Sequence, residues 1–306
     1  MRAVRFHEHG GPEVLRVEEV DRPAPGPGEV LVEVAATSFN PVDATIRGGE
    51  LREVFPVALP YVPGIDVAGT VAELGEGVDG FAVGDPVIGF LPMGAGGAAA
   101  EFVVVPAEVL TAAPSSIPLA DAAALPAVGL TAWQALVEHA ELRAGQRVLV
   151  NGAGGAVGGY AVQLAKLLGA HVVATASPRS ADLVRSAGAN QVVDHTTTSV
   201  VDAVDGPVDL VLNLAPVAPA DLAPLTGLVK PGGLVLSVTA PPAEDVDRGV
   251  RAANVYVRSD AAQLAHLVSE VDAGRLVVHV GHRVGLDDLV AVHRDTPAGK
   301  VVVLAR

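Results

Sequence analysis

The stretch "RVLVNGAGGAVGGYAVQLAKLLGAHVVATASPR", from Arg147 to Arg179, decides the fold because it joins several patterns in a fixed order. Its first five residues form a short apolar run typical of a buried strand, and a glycine-rich turn follows. Apolar residues then recur at helical spacing over 156–168. A second apolar run, "HVVATA", predicts another buried strand. Strand, glycine turn, helix and strand in this order indicate a dinucleotide-binding unit.

The glycine turn has its own spacing. Gly152, Gly155 and Gly158 give the pattern G-x-x-G-x-x-G, Gly154 is an additional glycine, and Val157 replaces the third glycine of a strict G-x-G-x-x-G. Glycine lets the backbone turn tightly and lets a pyrophosphate approach, and free N–H groups at a helix start favour that anion. The alternative interpretation is an ordinary turn between a strand and a helix.

The end of the second strand predicts which dinucleotide binds. An NAD site usually places Asp or Glu there to accept a hydrogen bond from the ribose 2′-hydroxyl. Here the strand is followed by Ser177, Pro178 and Arg179, with no carboxylate. A hydroxyl and a guanidinium suit a 2′-phosphate, so the sequence predicts NADP(H) as cofactor. The alternative is that Arg179 is a solvated arginine at a helix start.

The two parts of the 306-residue chain differ in pattern. Residues 1 to about 115 hold short β-like runs separated by Gly, Pro and Asp, which predicts a mostly antiparallel barrel or sandwich. From about residue 125, Val/Leu-rich runs alternate with helical segments at 156–168, 180–187 and 219–228, as in a doubly wound parallel sheet. A further helix is predicted over 259–274, and the last strands could rejoin the first domain. The predicted fold class is α/β with a second, β-rich domain.

Composition excludes several classes of protein. The chain has no cysteine, which excludes disulfides, thiolate-bound zinc and a cysteine nucleophile. Its net charge of −15 and its aromatic content of 3% disfavour nucleic-acid binding. No apolar run is long enough for a membrane span, and no secretory segment is recognisable at the start. We therefore expect a cytoplasmic protein with no nucleic-acid or membrane partner.

An ordered series of motifs resembles a known family. The motifs are "FNPVDATIRGG", "PYVPGIDVAGTVAELGEGVDGFAVGDPVIG", "AEFVVVPAEVL", "AAALPAVGLTAWQAL", the glycine turn, "LVKPGGLVLSV" and "AGKVVVL". Together they resemble the medium-chain dehydrogenase/reductase superfamily, in its zinc-free quinone oxidoreductase (zeta-crystallin-like) branch. The resemblance implies a GroES-like catalytic domain over 1–117, completed by 258–306, and a Rossmann NADPH-binding domain over 118–257. It also implies an active site in the cleft between the domains, hydride transfer to quinones or α,β-unsaturated carbonyl compounds, and a homodimer.

Two departures from related enzymes matter for the chemistry. Zinc-dependent members have a cysteine where Asn40 stands and a histidine where Ile65 stands, so we expect no metal. Related enoyl reductases have a tyrosine shortly after the "NPVD" stretch, which this chain lacks. Tyr61 is the one tyrosine near the motifs of the predicted cleft, so the proton comes from Tyr61 or from water. The stretch "RGGELREVFPVALP" is where we expect acceptor choice to lie.

The candidate residues follow from these motifs and from the resemblance. The candidate catalytic residues are Asn40, Thr131 and Tyr61. The candidate cofactor-binding residues are Asn40, Thr131, Gly152, Gly154, Gly155, Ala156, Val157, Gly158, Ser177, Arg179, Asn213, Val238 and Lys300. A non-catalytic NADPH-binding structural or regulatory protein of the zeta-crystallin type is the alternative function.

Overall fold

The computed structural model describes residues 1–306, whose contacts divide the chain into two compact units. The antiparallel unit comprises Met1–Ala127 and Ser259–Arg306, and the parallel unit comprises Val128–Arg258. The first sequence-based boundary, at residue 117, falls earlier than the structural one. The short helix at 119–122 explains the difference, because it packs on three strands of the antiparallel unit.

The strands and helices are numbered in chain order. In chain order the strands are β1 (Arg2–Arg5), β2 (Arg16–Glu19), β3 (Glu29–Ser38), β4 (Asp66–Leu74), β5 (Pro86–Phe90), β6 (Phe102–Pro106), β7 (Leu110–Ala112), β8 (Arg147–Asn151), β9 (His171–Ala176), β10 (Gln191–Asp194), β11 (Val208–Asn213), β12 (Val229–Ser237), β13 (Arg251–Asn254), β14 (His282–Gly285) and β15 (Val301–Leu304). The helices are α1 (Pro41–Gly48), α2 (Leu119–Ala122), α3 (Pro126–Trp133), α4 (Ala156–Leu167), α5 (Ala181–Ser186), α6 (Val200–Ala203), α7 (Pro219–Thr226), α8 (Ala261–Asp272) and α9 (Leu289–Arg294). A π-helical segment, Gln134–His139, continues α3.

The antiparallel unit is built on a seven-stranded sheet. Its strand order is β14-β15-β3-β4-β5-β7, with β6 also paired to β3, and β1 and β2 form a separate pair. All neighbours in this sheet run antiparallel except β14 and β15. Since β15 pairs with β3, the last strand of the chain lies inside the sheet. This confirms the β-rich first domain, and β15 lies in the same sheet as β3.

The pairing of β15, β3 and β4 positions three polar residues. Val302 lies opposite Ser38, which places the preceding Lys300 beside the end of β3. Ala36 lies opposite Ala68, so Ser38 at the end of β3 meets Asp66 at the start of β4. Valines on the same strands, with Leu91 and Leu110, fill one core cluster of this unit.

The parallel unit has a six-stranded, all-parallel sheet. Its order is β10-β9-β8-β11-β12-β13, so the chain builds outward from β8 in one direction and then from β11 in the other. The predicted helices at 156–168, 180–187 and 219–228 are present as α4, α5 and α7, with ends within two residues. The doubly wound sheet is therefore confirmed. In such sheets, ligands bind where the strand order reverses, here between β8 and β11.

The predicted helix at 259–274 is present as α8, and the Asp260 side chain caps it by accepting a hydrogen bond from the Gln263 N–H at 3.0 Å. None of the helices combines the length and the apolar character that crossing a membrane would require.

Candidate functional site

The glycine turn links β8 to α4 at the point where the strand order reverses. Gly152 has φ +89°, and a Cβ there would lie 2.8 Å from the Ala215 backbone nitrogen. A side chain at this position is therefore excluded both by backbone conformation and by a close approach. Thr175, on the neighbouring strand, accepts from the Gly152 N–H through its side-chain oxygen and from the Ala153 N–H through its carbonyl oxygen.

The other glycines of the turn play different parts. A Cβ at Gly158 would lie 2.5 Å from the Ala153 Cα, so this glycine lets α4 pack closely on the turn. A Cβ at Gly155 would meet nothing nearer than the Gly152 carbonyl oxygen at 3.4 Å. Gly155 immediately precedes α4, whose first N–H groups, from Ala156 and Val157 onward, have no partner earlier in the helix. Open space next to a helix start fits an anionic group such as a pyrophosphate.

Ser177 and Arg179 follow the end of β9, as the sequence predicts. Ser177 is half-buried, and its carbonyl oxygen accepts from the Ser180 and Ala181 N–H groups, which fixes the turn. Arg179 is exposed, and its guanidinium has no hydrogen bond or ion pair among those of the chain. Arg185 in the following helix is instead paired with Asp182 at 2.7 Å. The end of β9 thus presents a cation that the protein itself does not neutralise.

A carboxylate lies one strand away from this cation. Asp194 on β10 is in register with Ala176, the last residue of β9. Its Oδ1 accepts from the Thr196 N–H at 2.9 Å and from the Thr196 hydroxyl at 2.6 Å. These bonds lower the pKa of Asp194 and commit one of its oxygens to its own turn.

Asn213 and Val238 lie at the same edge of the sheet as the glycine turn. Asn213 ends β11 and is fully buried, and its amide bonds to other side chains of the sheet. Its carbonyl oxygen accepts from the Val238 N–H at 3.1 Å, so the two predicted residues are joined to each other. Thr131 lies buried on α3 in the same unit.

Asn40 and Lys300 meet in the antiparallel unit, in a buried group with Ser38, Asp43 and Asp66 that we call the Lys300 cluster. The Lys300 Nζ donates to the Asn40 Oδ1 at 2.7 Å and to the Phe39 carbonyl oxygen at 3.2 Å, and it lies 3.4 Å from the Asp66 Oδ2. Asn40 in turn donates to the Asp66 Oδ2 at 2.8 Å. Both ends of the Asn40 amide and the whole ammonium group are therefore engaged within this unit.

The carboxylates of the Lys300 cluster are satisfied from several directions. The Asp66 Oδ1 accepts from the Ala127 N–H at 2.7 Å, and its Oδ2 also accepts from the Ser38 hydroxyl. Asp43 accepts from the N–H groups of Asn40 at 2.8 Å and Gly64 at 3.0 Å, so it caps α1. Burial raises the pKa of Asp43 to about 6, against the effect of those two bonds. Burial also lowers the pKa of Lys300, against the attraction of the Asp66 carboxylate.

The donor set around Asn40 does not fit a catalytic zinc ion. Zinc in such sites takes Cys, His or carboxylate ligands. Here the two positions hold Asn40 and a buried Ile65, and the nearest carboxylate, Asp66, already faces the Lys300 ammonium. No group of three or more His, Asp or Glu side chains elsewhere in the chain is arranged to hold a metal ion.

The structure argues against Tyr61 as proton donor. Its ring is almost fully buried, 5.4 Å from the Phe6 ring centroid, within a hydrophobic cluster. Its hydroxyl donates to the Met93 carbonyl oxygen at 3.0 Å, and burial raises its pKa above the ordinary value. A hydroxyl that already donates a hydrogen bond within the core is poorly placed to transfer its proton to a bound substrate.

Sequence reasoning missed Asp66, Asn151 and Thr175 as members of these polar groups. Thr175 could have been noticed, since it is the one polar residue within "HVVATA" after the initial histidine. Asp66 begins the motif "DVAGTV" and gave no such signal, because its partner Lys300 is distant in sequence.

Comparisons with known proteins agree with this architecture. A family model described as an alcohol dehydrogenase GroES-like domain matches residues 26–115, and one described as a zinc-binding dehydrogenase matches residues 187–303. The quinone oxidoreductase of Rattus norvegicus is 37% identical over 245 residues, which cover 78% of this chain and 73% of the relative. The solved structure of the quinone oxidoreductase from Coxiella burnetii superimposes with a TM-score of 0.89 at 28% identity, covering 100% of this chain and 99% of that chain.

A chloroplast relative is more similar over a shorter stretch. The chloroplast envelope quinone oxidoreductase homolog of Arabidopsis thaliana is 43% identical over 204 residues, or 64% of this chain. The match spans 62% of that relative's length. With the glycine turn at the switch point of an all-parallel sheet and a GroES-like unit beside it in sequence, these matches show that the chain belongs to the zeta-crystallin-like quinone oxidoreductases of the medium-chain dehydrogenase/reductase superfamily.

Proposed function

We propose that this protein is an NADPH-dependent oxidoreductase that transfers a hydride to quinones or α,β-unsaturated carbonyl compounds without a metal ion. The observation that supports it most is the open glycine turn at the switch point of the parallel sheet, next to the start of α4. Family membership supports a nicotinamide cofactor and a quinone as acceptor. The cofactor, when bound, supplies the hydride.

The choice of NADPH rests on the end of β9. The pyrophosphate is common to NADPH and NADH, so the glycine turn cannot distinguish them. Arg179 is an unpaired cation and Ser177 offers a hydroxyl, and both suit a 2′-phosphate. The carboxylate of Asp194, on the neighbouring strand β10, uses its Oδ1 to accept hydrogen bonds from the N–H and the hydroxyl of Thr196.

The residues of this chain bind and orient rather than donate protons. Thr131 and the backbone at Val238 are proposed to face the nicotinamide end of the cofactor. Asn40 is not proposed there, because its amide is already hydrogen-bonded to Asp66 and Lys300. The Lys300 ammonium directs its hydrogen bonds to Asn40, Phe39 and Asp66, so it has no proton to spare for an acceptor. Water is therefore the proposed source of the proton that the reduced product takes up.

The test is consumption of NADPH with a panel of quinones and enones, with NADH run in parallel. We expect NADPH oxidation that depends on the acceptor and survives exhaustive chelation. Activity lost to the chelator and restored by zinc would overturn the metal-free part. Tight NADPH binding without turnover on any acceptor would favour the non-catalytic alternative, and failure to bind either dinucleotide would overturn the proposal.

A homodimer is part of the same proposal, supported by the edge of the parallel sheet. Strand β13 is paired on one side, to β12, and an edge strand presents unpaired backbone groups. Tyr256, two residues beyond it, and Val246 are among the most exposed large apolar side chains. We expect Tyr256→Lys to weaken the dimer in sedimentation experiments, while Val83→Lys, at an exposed valine of the other unit, leaves it intact.

A further inference from the structure

A row of polar side chains crosses the carboxyl edge of the parallel sheet. Asn151 on β8 is in register with Asn213 on β11, and Asn213 is in register with Ser237 on β12. Thr175 follows Ala174 on β9, which pairs with Val150 just before Asn151. Four adjacent strands thus place a polar residue at the same level, each of them buried. With Thr239, these residues form what we call the sheet-edge network.

The hydrogen bonds of the network run in one direction. The Thr175 hydroxyl donates to the Asn151 Oδ1 at 2.9 Å, and the Asn151 Nδ2 donates to the Asn213 Oδ1 at 2.8 Å. The Asn213 Nδ2 then lies 3.0 Å from the Thr239 Oγ1 and 3.1 Å from the Ser237 Oγ. Each amide oxygen accepts and each amide nitrogen donates, so these contacts set the orientation of both asparagines.

The ends of the network are attached to loops. At one end the Thr175 hydroxyl, which donates a hydrogen bond to Asn151, also accepts one from the Gly152 N–H at 2.8 Å. At the other end the Thr239 hydroxyl donates to the Ala215 carbonyl oxygen at 2.8 Å. The network therefore connects the glycine turn after β8 with the loops that follow β11 and β12. The close approach of Gly152 to Ala215 joins two of these loops directly.

We infer that the sheet-edge network is a positioning device that fixes these three loops for the dinucleotide, an inference that rests on the proposed function. Thr175 is the positioning residue at the start of the network, because its side-chain oxygen accepts a hydrogen bond from the Gly152 N–H, the first amide of the glycine turn. All members are uncharged, so the network orders the loops without placing a negative charge where a pyrophosphate must come. Buried, fully paired polar groups of this kind specify one local geometry.

The inference predicts an effect unlike that of Arg179. Since the glycine turn faces the part common to both dinucleotides, loss of the Thr175 hydroxyl weakens NADPH and NADH by the same factor. Adenosine 2′-monophosphate has the 2′-phosphate but no pyrophosphate, so its affinity stays unchanged. One buried hydrogen bond corresponds to roughly a tenfold loss of affinity.

The experiment is calorimetric titration of NADPH, NADH and adenosine 2′-monophosphate into wild type and three variants. Thr175→Val keeps the shape and β-branching but removes the hydroxyl, and Thr175→Ser restores the hydroxyl. Thr226→Val is the matched control, because the Thr226 hydroxyl in the same unit is also buried and has no hydrogen-bond partner. We expect weakened binding of both dinucleotides in Thr175→Val, recovery in Thr175→Ser and no change in Thr226→Val.

Several outcomes would overturn the inference. Wild-type affinity in Thr175→Val refutes it while leaving the proposed function intact, and so does a loss confined to NADPH. If wild type binds neither dinucleotide, the proposed function fails and this inference fails with it. Should Thr175→Val not fold by circular dichroism, Thr239→Val takes its place, because it adds no charge, keeps the β-branched shape and removes the hydroxyl that accepts from Asn213 and donates to the Ala215 carbonyl oxygen.

Discussion

The Lys300 cluster is buried, and so are four of the five side chains of the sheet-edge network, but the first contains charges and the second contains none. Lys300 and Asp66 face each other, and Asn40 accepts a hydrogen bond from Lys300 and donates one to Asp66. In the network, each neutral side chain passes a hydrogen bond to the next until the ends reach loop backbone. A buried charge requires a nearby partner, so removing either member of such a pair is expected to lower stability. The neutral groups connect loops that are distant in sequence, and we infer from this connection an effect on binding.

The largest expected effect tests whether the glycine turn, to which the network bonds, is the binding site of the dinucleotide. Gly155→Val places a branched side chain in space that the protein leaves open, so we expect no detectable binding of NADPH or NADH and a melting temperature near that of wild type. Titration and thermal unfolding measure the two quantities. Gly94→Val, also in open space but in the antiparallel unit, is the control and keeps its affinity. Unchanged affinity in Gly155→Val would refute the dinucleotide site.

The next effect tests whether the Lys300 cluster acts on stability. Lys300→Met leaves the fully buried Asp66 carboxylate without its counter-charge, and we expect the free energy of unfolding to fall by about 3–5 kcal/mol. Urea denaturation measures it. Lys230→Met removes a partly exposed ion pair with Asp209 and should cost at most about 1 kcal/mol.

A double variant separates loss of charge balance from loss of packing. If the unpaired carboxylate causes the instability, adding Asp66→Asn to Lys300→Met should recover part of the lost stability, because it removes that charge. A loss in Lys300→Met no greater than that in Lys230→Met would show that the cluster is not the buried ion pair described here.

A smaller effect sharpens the difference between the network and the end of β9. Arg179→Ala should weaken NADPH about ten- to a hundredfold and leave NADH nearly unaffected, since one charge-assisted contact is lost. Arg185→Ala, which breaks an exposed pair with Asp182, is the control and should change neither affinity. Equal losses for both cofactors, or a wild type that prefers NADH, would contradict the assignment of Arg179.

The smallest net effect concerns pH and the buried groups of the antiparallel unit. The pKa of Asp43 is raised by burial from 3.8 to about 6, so its contribution to stability is present near pH 4 and is lost as pH rises through 6. The pKa of His293 is lowered by burial and by Arg47 from 6.5 to about 4, so its contribution is lost as pH falls from 6.5 to 4. The two slopes have opposite signs over the same range and nearly cancel.

Variants should reveal the two slopes separately. Asp43→Asn leaves the His293 contribution, so between pH 4 and 6.5 the free energy of unfolding should rise by about 2 kcal/mol more than it does in wild type. His293→Leu leaves the Asp43 contribution, so the change in the free energy of unfolding over the same range should be about 2 kcal/mol lower than in wild type. Leucine is tolerable because neither ring nitrogen of His293 has a hydrogen-bond partner, and the ring packs against Phe39. Urea denaturation at several pH values measures both, and parallel slopes in the two variants would contradict the assignment.

The sequence predicts the parallel sheet well because its signal is local. The glycine turn and the flanking apolar runs occupy 147–176, and α4 begins at Ala156 as the helical spacing indicates. Ser177 and Arg179 also lie where the pattern places them, directly after β9. Each of these inferences needs only neighbours in the chain.

The engagement of Asn40 and Lys300 could not be predicted in the same way. Their contact joins residues 260 positions apart and depends on the pairing of β15 with β3. We predicted that both contact the cofactor, whereas their polar groups bond to each other and to Asp66. Tyr61 is a candidate only because it is the one of three tyrosines near the motifs of the predicted cleft, and composition alone does not indicate that its hydroxyl bonds to a backbone carbonyl.

The position of β15 inside its sheet also bears on how the chain is made. The parallel unit is one continuous segment, so all of it has been synthesised before residues 259–306 follow. The antiparallel unit instead needs β15 to pair with β3, and Lys300 to reach Asp66, before its sheet is complete. During translation, which proceeds from the N-terminus, the second unit in sequence can therefore finish folding first. Until then the edge of β3 that receives β15 is a strand edge that a nascent chain must keep from other partners.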